Sequence, residues 1–315
     1  MPARLAPLAY LNGRYIPGDQ AALPVWDRGV VQGATVTEMI RTFQRVPFRL
    51  PQHLDRLREA LDYLGVTIHQ TDDDLTEIVR QLIESRESSH ADLGVVIFVT
   101  PGAIPMYAGE IPVSDSPTVC VHTFPLPFGQ WAEKYRLGQA LAVPSIRQIP
   151  VEILDPRIKY RSRLHWYLAD REARTLDPTS VALLQNADGH LTETNSGNFF
   201  VVSGGTIRTA RAVDSLPGIS QQFVQELARE LAIPYEVGDI TLASAFQADE
   251  AFVTSTTYCV LPVTLLNQRA IGSGTPGPVT RTLLQRWSDH VGLDITQQAQ
   301  QDHEPPRISS TSDPS

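Results

Sequence analysis

Apolar positions along this chain recur with two periods, and each change of period marks an element. Residues 52–64 place Leu54, Leu57, Leu61 and Leu64 three and four apart, which predicts a helix with one apolar face. Residues 74–86 repeat the pattern through Leu75, Ile78, Val79 and Leu82. Short apolar runs between turn residues predict strands at 94–100 and 118–124, then at 137–143, 180–185 and 250–254. Residues 8–16 read as a hairpin around Asn12-Gly13, and 198–202 with 206–209 as a second around Gly204-Gly205. Helices are predicted at 160–175, at 277–291, and at 219–232, where Ile219, Phe223, Leu227 and Leu231 lie four apart.

The pattern breaks at 125–134, PLPFGQWAEK, where prolines, a glycine and polar residues predict a linker. The reading is therefore α+β, with a small N-terminal α/β domain over 1–124 and a larger C-terminal α/β domain over 135–295. From 296 to 315 aromatic and β-branched residues thin out, and that tail is expected to be disordered.

Composition narrows the class. The chain has 315 residues, 42% hydrophobic and 19% charged, with a formal net charge of -9. That balance argues against nucleic acid or an anionic membrane as partner. The first residues hold no continuous apolar run, and no stretch approaches membrane-spanning length. The two cysteines, Cys120 and Cys259, sit in apolar runs and read as buried free thiols, with a disulfide as the alternative. A soluble, cytoplasmic protein is the expectation. No Cys/His spacing suits a metal. Lysine occurs only at 134 and 159, and arginine supplies the rest of the 26 basic residues. An arginine cannot serve as an amine nucleophile, so a retained lysine invites a chemical reading; codon bias explains the count equally well.

Several segments carry candidate chemistry. Asp155-Pro-Arg-Ile-Lys-Tyr-Arg-Ser-Arg sets Lys159 among Arg157, Arg161 and Arg163 at an expected helix start. Nearby cations depress an amine's pKa and favour its nucleophilic form. Leu216-Pro-Gly-Ile-Ser220 opens a helix whose free Ile219 and Ser220 N–H groups, with the Ser220 hydroxyl, make a phosphate cup. Ser255-Thr256-Thr257 adds hydroxyls at a strand end, and His53 and Arg56 share a helical face. Glu193 is a carboxylate suited to a pyridine nitrogen. Taken singly, these segments read equally as a basic helix start, a routine helix N-terminus, a β-rich loop, a surface arginine and a turn glutamate.

Their order and spacing change that. Asp27-Arg-Gly with Gly33 and Glu38, His53-Leu-Asp-Arg56-Leu, Ile158-Lys159, Glu193-Thr-Asn-Ser-Gly-Asn-Phe199, Leu216-Pro-Gly-Ile-Ser220 and Ala248-Asp-Glu-Ala-Phe-Val-Thr-Ser-Thr256 together resemble the class IV pyridoxal-phosphate aminotransferases. These include branched-chain and D-amino-acid aminotransferases and aminodeoxychorismate lyase. The resemblance spans roughly residues 10–265 and implies a two-domain fold-type IV enzyme, homodimeric, with the cofactor between domains. It implies that Lys159 forms the Schiff base and shuttles the proton, and that Glu193 faces the pyridine nitrogen. Arg56, Ile219, Ser220 and Thr256 would hold the phosphate, with Leu216 against the ring. The implied reaction is ping-pong transfer of an amino group between an amino acid or amine and a 2-oxo acid.

Both carboxylate traps usual in the family are missing. Met106 and Ala108 stand near the places of an Arg and a His, and Asp92-Leu-Gly94 replaces a Tyr-x-Arg. Thr37 replaces a bulky aromatic, and Ser162-Arg163 replaces Asn-Arg or Asn-Tyr. Candidate substrate residues are then Thr37, Arg41, Arg163 and Thr257, with Arg161 as a further cationic substitute. An aminodeoxychorismate lyase that releases pyruvate, and a non-catalytic binding protein on the same fold, are the alternatives.

Overall fold

The computed structural model describes residues 7–86, 91–114 and 116–301. The first half holds β1 (Leu8–Leu11), β2 (Arg14–Pro17), α1 (Arg28–Val31), β3 (Val36–Phe43) and β4 (Val46–Pro47). It continues through α2 (Leu50–Leu64), α3 (Asp72–Glu84), β5 (Leu93–Thr100), α4 (Pro105–Ala108) and β6 (Thr118–Pro125). Six strands pair in the order β2-β1-β6-β5-β3-β4. Asn12 and Gly13 both take positive φ, as a two-residue hairpin loop between twisted strands requires.

The leucines of α2 and the apolar side of α3 bury against one face of this sheet, with Val36, Ile40, Val95, Ile97 and Val121. Side chains alternate along β3, so Val36, Glu38 and Ile40 turn toward the helices and Thr37, Met39 and Arg41 toward the second half of the chain. A glutamate on the helix side needs a partner, and α2 supplies two, His53 and Arg56. Glu38 and Arg41 interrupt the apolar pattern, which hid β3 from periodicity.

The second half contains α5 (Ala132–Leu137), β7 (Gln139–Ala142), α6 (Leu164–Leu176), β8 (Val181–Gln185), β9 (Leu191–Thr194), β10 (Asn198–Ser203) and β11 (Thr206–Thr209). After these come α7 (Ile219–Glu230), β12 (Tyr235–Val237), α8 (Leu242–Gln247), β13 (Glu250–Ser255), β14 (Cys259–Leu266), β15 (Arg269–Ala270), α9 (Pro278–Val291) and α10 (Ile295–Gln301). The strand order is β12-β11-β10-β13-β14-β7-β8-β9, with β15 on β14. Since β9 also pairs with β10, the strands from β10 round to β9 close into a ring. Phe199, Phe252, Phe223, Leu261 and Trp287 contribute to the main core of this half.

Three expectations change. The expected helix at 160 begins only at Leu164. Residues 159–161 are extended, because Tyr160 bridges Val36, Thr37 N–H donates to the Lys159 carbonyl and Arg161 N–H donates to the Thr35 carbonyl. Those backbone groups are satisfied by β3, which competes with helix. The tail expected to be disordered from 296 is helical to Gln301, with Ile295 and Ala299 four apart and buried; residues 302–315 lie outside the described residues. The segment 125–134 runs between the sheets, yet Leu126, Phe128 and Trp131 are buried in the second core. Among the described residues no helix is long and apolar enough to cross a membrane, and no His/Cys/Asp/Glu group could hold a metal.

Candidate active site

A cavity of about 450 Å³ lies between the exposed face of the first sheet and the rim of the strand ring. Lys159 lines it, from the extended segment beside β3. Burial is the main cause that depresses its amine, helped by the Arg56 and Arg163 cations, and Glu38 and Glu193 oppose them; the net value is about 8. No side-chain hydrogen bond engages its Nζ among the described residues. Arg157, expected to help depress the amine, is instead exposed and paired with Asp155 at 2.6 Å. Lys134, the other lysine, sits in α5 outside this cavity.

Glu193, at the end of β9, faces the same cavity. Burial pushes its carboxyl up to about 7, against the pull of the Leu216 N–H, Lys159, Arg163 and Gln148. Leu216 N–H and Gln148 Nε2 each donate to it at 3.2 Å. A buried carboxylate so weakly paired is suited to a cationic partner.

The start of α7 forms a third wall. Gly218 is its N-cap, and Ile219 and Ser220 follow with N–H groups that have no intrahelical acceptor. A Cβ on Gly218 would stand 2.2 Å from Asn198 Oδ1. Asn198 Nδ2 donates to the Leu216 carbonyl at 2.8 Å, so one asparagine braces this turn. Thr256 and Thr257 line the cavity nearby, and the buried Thr254 Oγ1 there has no hydrogen-bond partner.

Arg56 enters from α2. Its Nε and Nη2 donate to the two oxygens of Glu38 at 2.8 and 2.7 Å, and its Nη1 donates to the Pro217 carbonyl at 2.8 Å. A guanidinium has five N–H bonds, so two remain for an anion in the cavity. Burial by itself would raise Glu38; Arg56 and His53 overcome it and hold the carboxyl at about 2. Burial also lowers the pKa of His53, so its imidazole is neutral and its Nδ1–H donates to the ionised Glu38 at 2.7 Å.

Of the candidate substrate residues, Thr37, Arg163 and Thr257 line the cavity and Arg41 does not. Arg41 is a correction. Its Nη1 donates to the Thr257 carbonyl and Cys259 Sγ, its Nη2 donates to Gln298 Oε1, and its plane lies over Phe43. It braces the threonine loop from behind. Asp92, standing where the family has a Tyr-x-Arg, accepts from Thr42, the Arg45 N–H and Gln298 in the same buried network. Met106 is exposed. Arg163 donates to the Asn195 carbonyl and lies over Trp166. Sequence reasoning missed Gln148, Asn198 as a brace, and Thr254; a lone amide or hydroxyl between apolar residues leaves no periodic signal.

Comparison with known proteins agrees with this geometry. The family model described as amino-transferase class IV matches residues 35–266, more than half of the chain. A D-alanine aminotransferase of Bacillus licheniformis is 29% identical, over 86% of this chain and 93% of its own length. An aminodeoxychorismate lyase of Bacillus subtilis is 26% identical, over 84% of this chain and 89% of its own. The solved T.th. branched-chain amino acid aminotransferase with pyridoxamine 5'-phosphate superposes with a TM-score of 0.81 at 26% identity, covering 91% of this chain and 94% of the other.

Proposed function

The chain belongs to the class IV aminotransferase family, and on that premise we propose that it transfers an amino group from an amino acid or amine to a 2-oxo acid at Lys159, in a cavity that holds pyridoxal 5'-phosphate. Enzymes of this family depend on that cofactor. When bound, it supplies an aldehyde that condenses with amines and a ring that withdraws electrons from the substrate Cα.

The residues fit that group. One cavity brings together an amine without a side-chain hydrogen bond, a buried carboxylate on another wall, and the N-terminus of a helix; this juxtaposition carries the proposal. Glu193 would hold a protonated ring nitrogen. Ile219 and Ser220, with Thr256 and the two spare N–H bonds of Arg56, would hold the phosphate. The orphan Thr254 Oγ1 adds a donor at the same wall. Leu216 would pack on the ring. With a value of about 8, roughly a tenth of the Lys159 amine is neutral at pH 7, far more than for an ordinary lysine. Its Nζ then serves as the base that takes the Cα proton and returns it.

The test is borohydride trapping. Protein saturated with pyridoxal phosphate, reduced and digested, should carry the added mass on the Lys159 peptide. Lys159→Ala should carry none and show no turnover. An unmodified Lys159 peptide from saturated protein rejects the proposal. Product analysis addresses the lyase reading favoured by the Bacillus subtilis relative: pyruvate formed with no amino acceptor supports a lyase over a transaminase.

A second copy of this chain is the proposed partner. Val30, Val31, Met106 and Tyr107 are exposed on neighbouring turns, joined where Ile104 N–H donates to the Trp26 carbonyl. Leu164 and Tyr167 are also exposed on α6. This apolar surface suits burial against another subunit. The two buried free thiols support a reducing, cytoplasmic setting.

A further inference from the structure

Three guanidinium groups line the cavity, and they differ in what neutralises them. Arg56 has the Glu38 carboxylate. Arg163 has Glu193 and Asp170 in its electrostatic surroundings. Arg161 has no carboxylate near it among the described residues; the one favourable charge it meets is that of a Cys120 thiolate. Burial raises that thiol to about 11, so near neutral pH it is uncharged. Among the described residues the only side-chain hydrogen bond of Arg161 runs from Nη2 to Thr37 Oγ1 at 3.2 Å. The residue keeps contact with solvent, which makes the unpaired charge tolerable. An anion that displaces this water gains charge-assisted hydrogen bonds from a guanidinium with most of its N–H groups free.

Its place in the chain is specific. Lys159 and Arg161 are two apart in the extended segment beside β3, so both side chains leave on one side, roughly 7 Å apart at their Cα atoms by strand rise. Both line the cavity. Thr37 of β3 bonds Arg161 and Cys120 and His122 lie close by, while Met39 and Phe124 line the same cavity. None of these is an anion near neutral pH.

We propose that Arg161 is the residue that selects the substrate, pairing its guanidinium with a carboxylate of the amino donor or 2-oxo acid and so favouring amino acids over simple amines. The inference rests on the cofactor reading above, since it takes Lys159 as the point where the amine reacts. Thr37 orients the guanidinium, and an aromatic side chain at that position would fill the space the carboxylate occupies. The missing carboxylate traps of the family are thereby replaced from the lysine's own segment.

The experiment measures binding of 4-methylvalerate and glutarate to the protein, with and without pyridoxal phosphate, for wild type, Arg161→Met and Arg161→Lys. Arg161→Met should weaken acid binding about tenfold to a hundredfold, the worth of a charge-assisted hydrogen bond. It should keep cofactor absorbance and leave the thermal midpoint unchanged or raised, because an uncompensated cation has been removed. Arg161→Lys should fall between. Loss for both acids upholds the pairing with the carboxylate that all amino acids share, and loss for glutarate alone, which leaves that carboxylate unpaired, overturns it. A structural arginine would instead lower the midpoint and leave acid binding intact, which overturns the proposal. Loss of cofactor binding in Arg161→Met also overturns it. Should Arg161→Met not fold, Arg161→Gln decides: a wild-type preference for 4-methylvalerate over its uncharged amide refutes the idea, and loss of that preference upholds it. Titrations on cofactor-free protein keep the outcomes separate, so failed trapping at Lys159 rejects the cofactor reading alone.

Discussion

At the scale of single residues, the site depends on how buried charges are compensated. Glu38 touches neither the Lys159 side chain by hydrogen bond nor the helix cup, yet it holds Arg56 with two bonds and His53 with a third. Breaking a buried ion pair from one side costs about 3 kcal/mol or more, so Glu38→Gln should destabilise the protein by that order in denaturant titration. The pH dependence has a definite sign. The folded value of Glu38 lies below the ordinary 4.5, at about 2, so its stabilisation is present above 4.5 and is lost as pH falls toward 2. Glu38→Gln should not show that component of acid sensitivity. Glu38 also raises the Lys159 pKa, so its removal should move the pH profile of cofactor capture to lower pH than in wild type. A stopped-flow series of absorbance traces against pH reads that shift directly.

Elements act on the site through their ends. The first turn of α7 presents its N–H groups because Asn198 fixes the Leu216 carbonyl and Gly218 leaves room for that amide. The loop after β13 is held from outside. Gln298 of α10 accepts from Arg41 and donates to Asp92, and Arg41 donates to the Thr257 carbonyl at 2.8 Å. The last described helix is thus one hydrogen-bonded residue away from the cavity wall. Gln298→Ala leaves two buried polar partners unmatched and should cost about 1–3 kcal/mol of stability. It should also weaken pyridoxal-phosphate affinity several-fold with the Lys159 peptide still trapped by borohydride. Unchanged affinity would confine α10 to a packing role.

For the whole molecule, the first sheet supplies one wall of the cavity and the strand ring with its helices supplies the others, so the site exists only when the two halves meet. Residues from β3, α2, the segment before α6, β9, α7 and β13 converge there from both halves of the sequence. The helices α1 and α4 carry exposed apolar side chains. Val30→Asp combined with Tyr107→Asp should convert the proposed dimer to monomer in sedimentation velocity, with no more than a small change in the far-ultraviolet spectrum. A sedimentation profile identical to wild type would remove that surface from consideration as the subunit contact.

Periodicity was sufficient for α2, α3 and α7, because each buries one face against a neighbour and burial imprints its spacing on the chain, and turn residues marked the two hairpins. The order of the short motifs was sufficient to bring Lys159, Glu193, Arg56 and the α7 turn under suspicion together. Pairing between distant segments decided the rest. Lys159 is extended because β3 takes its backbone bonds, and nothing within residues 155–163 records that partner. Arg41 and Arg161 look alike in the sequence, and Arg41 even shares its β3 face with Thr37 and Met39, yet the Thr257 carbonyl and Gln298 of α10 hold it out of the cavity while the extended segment turns Arg161 into it. Local spacing encodes which face of an element avoids water. The direction a lone charged side chain takes is set by non-local partners, and those exist only once the chain has closed on itself.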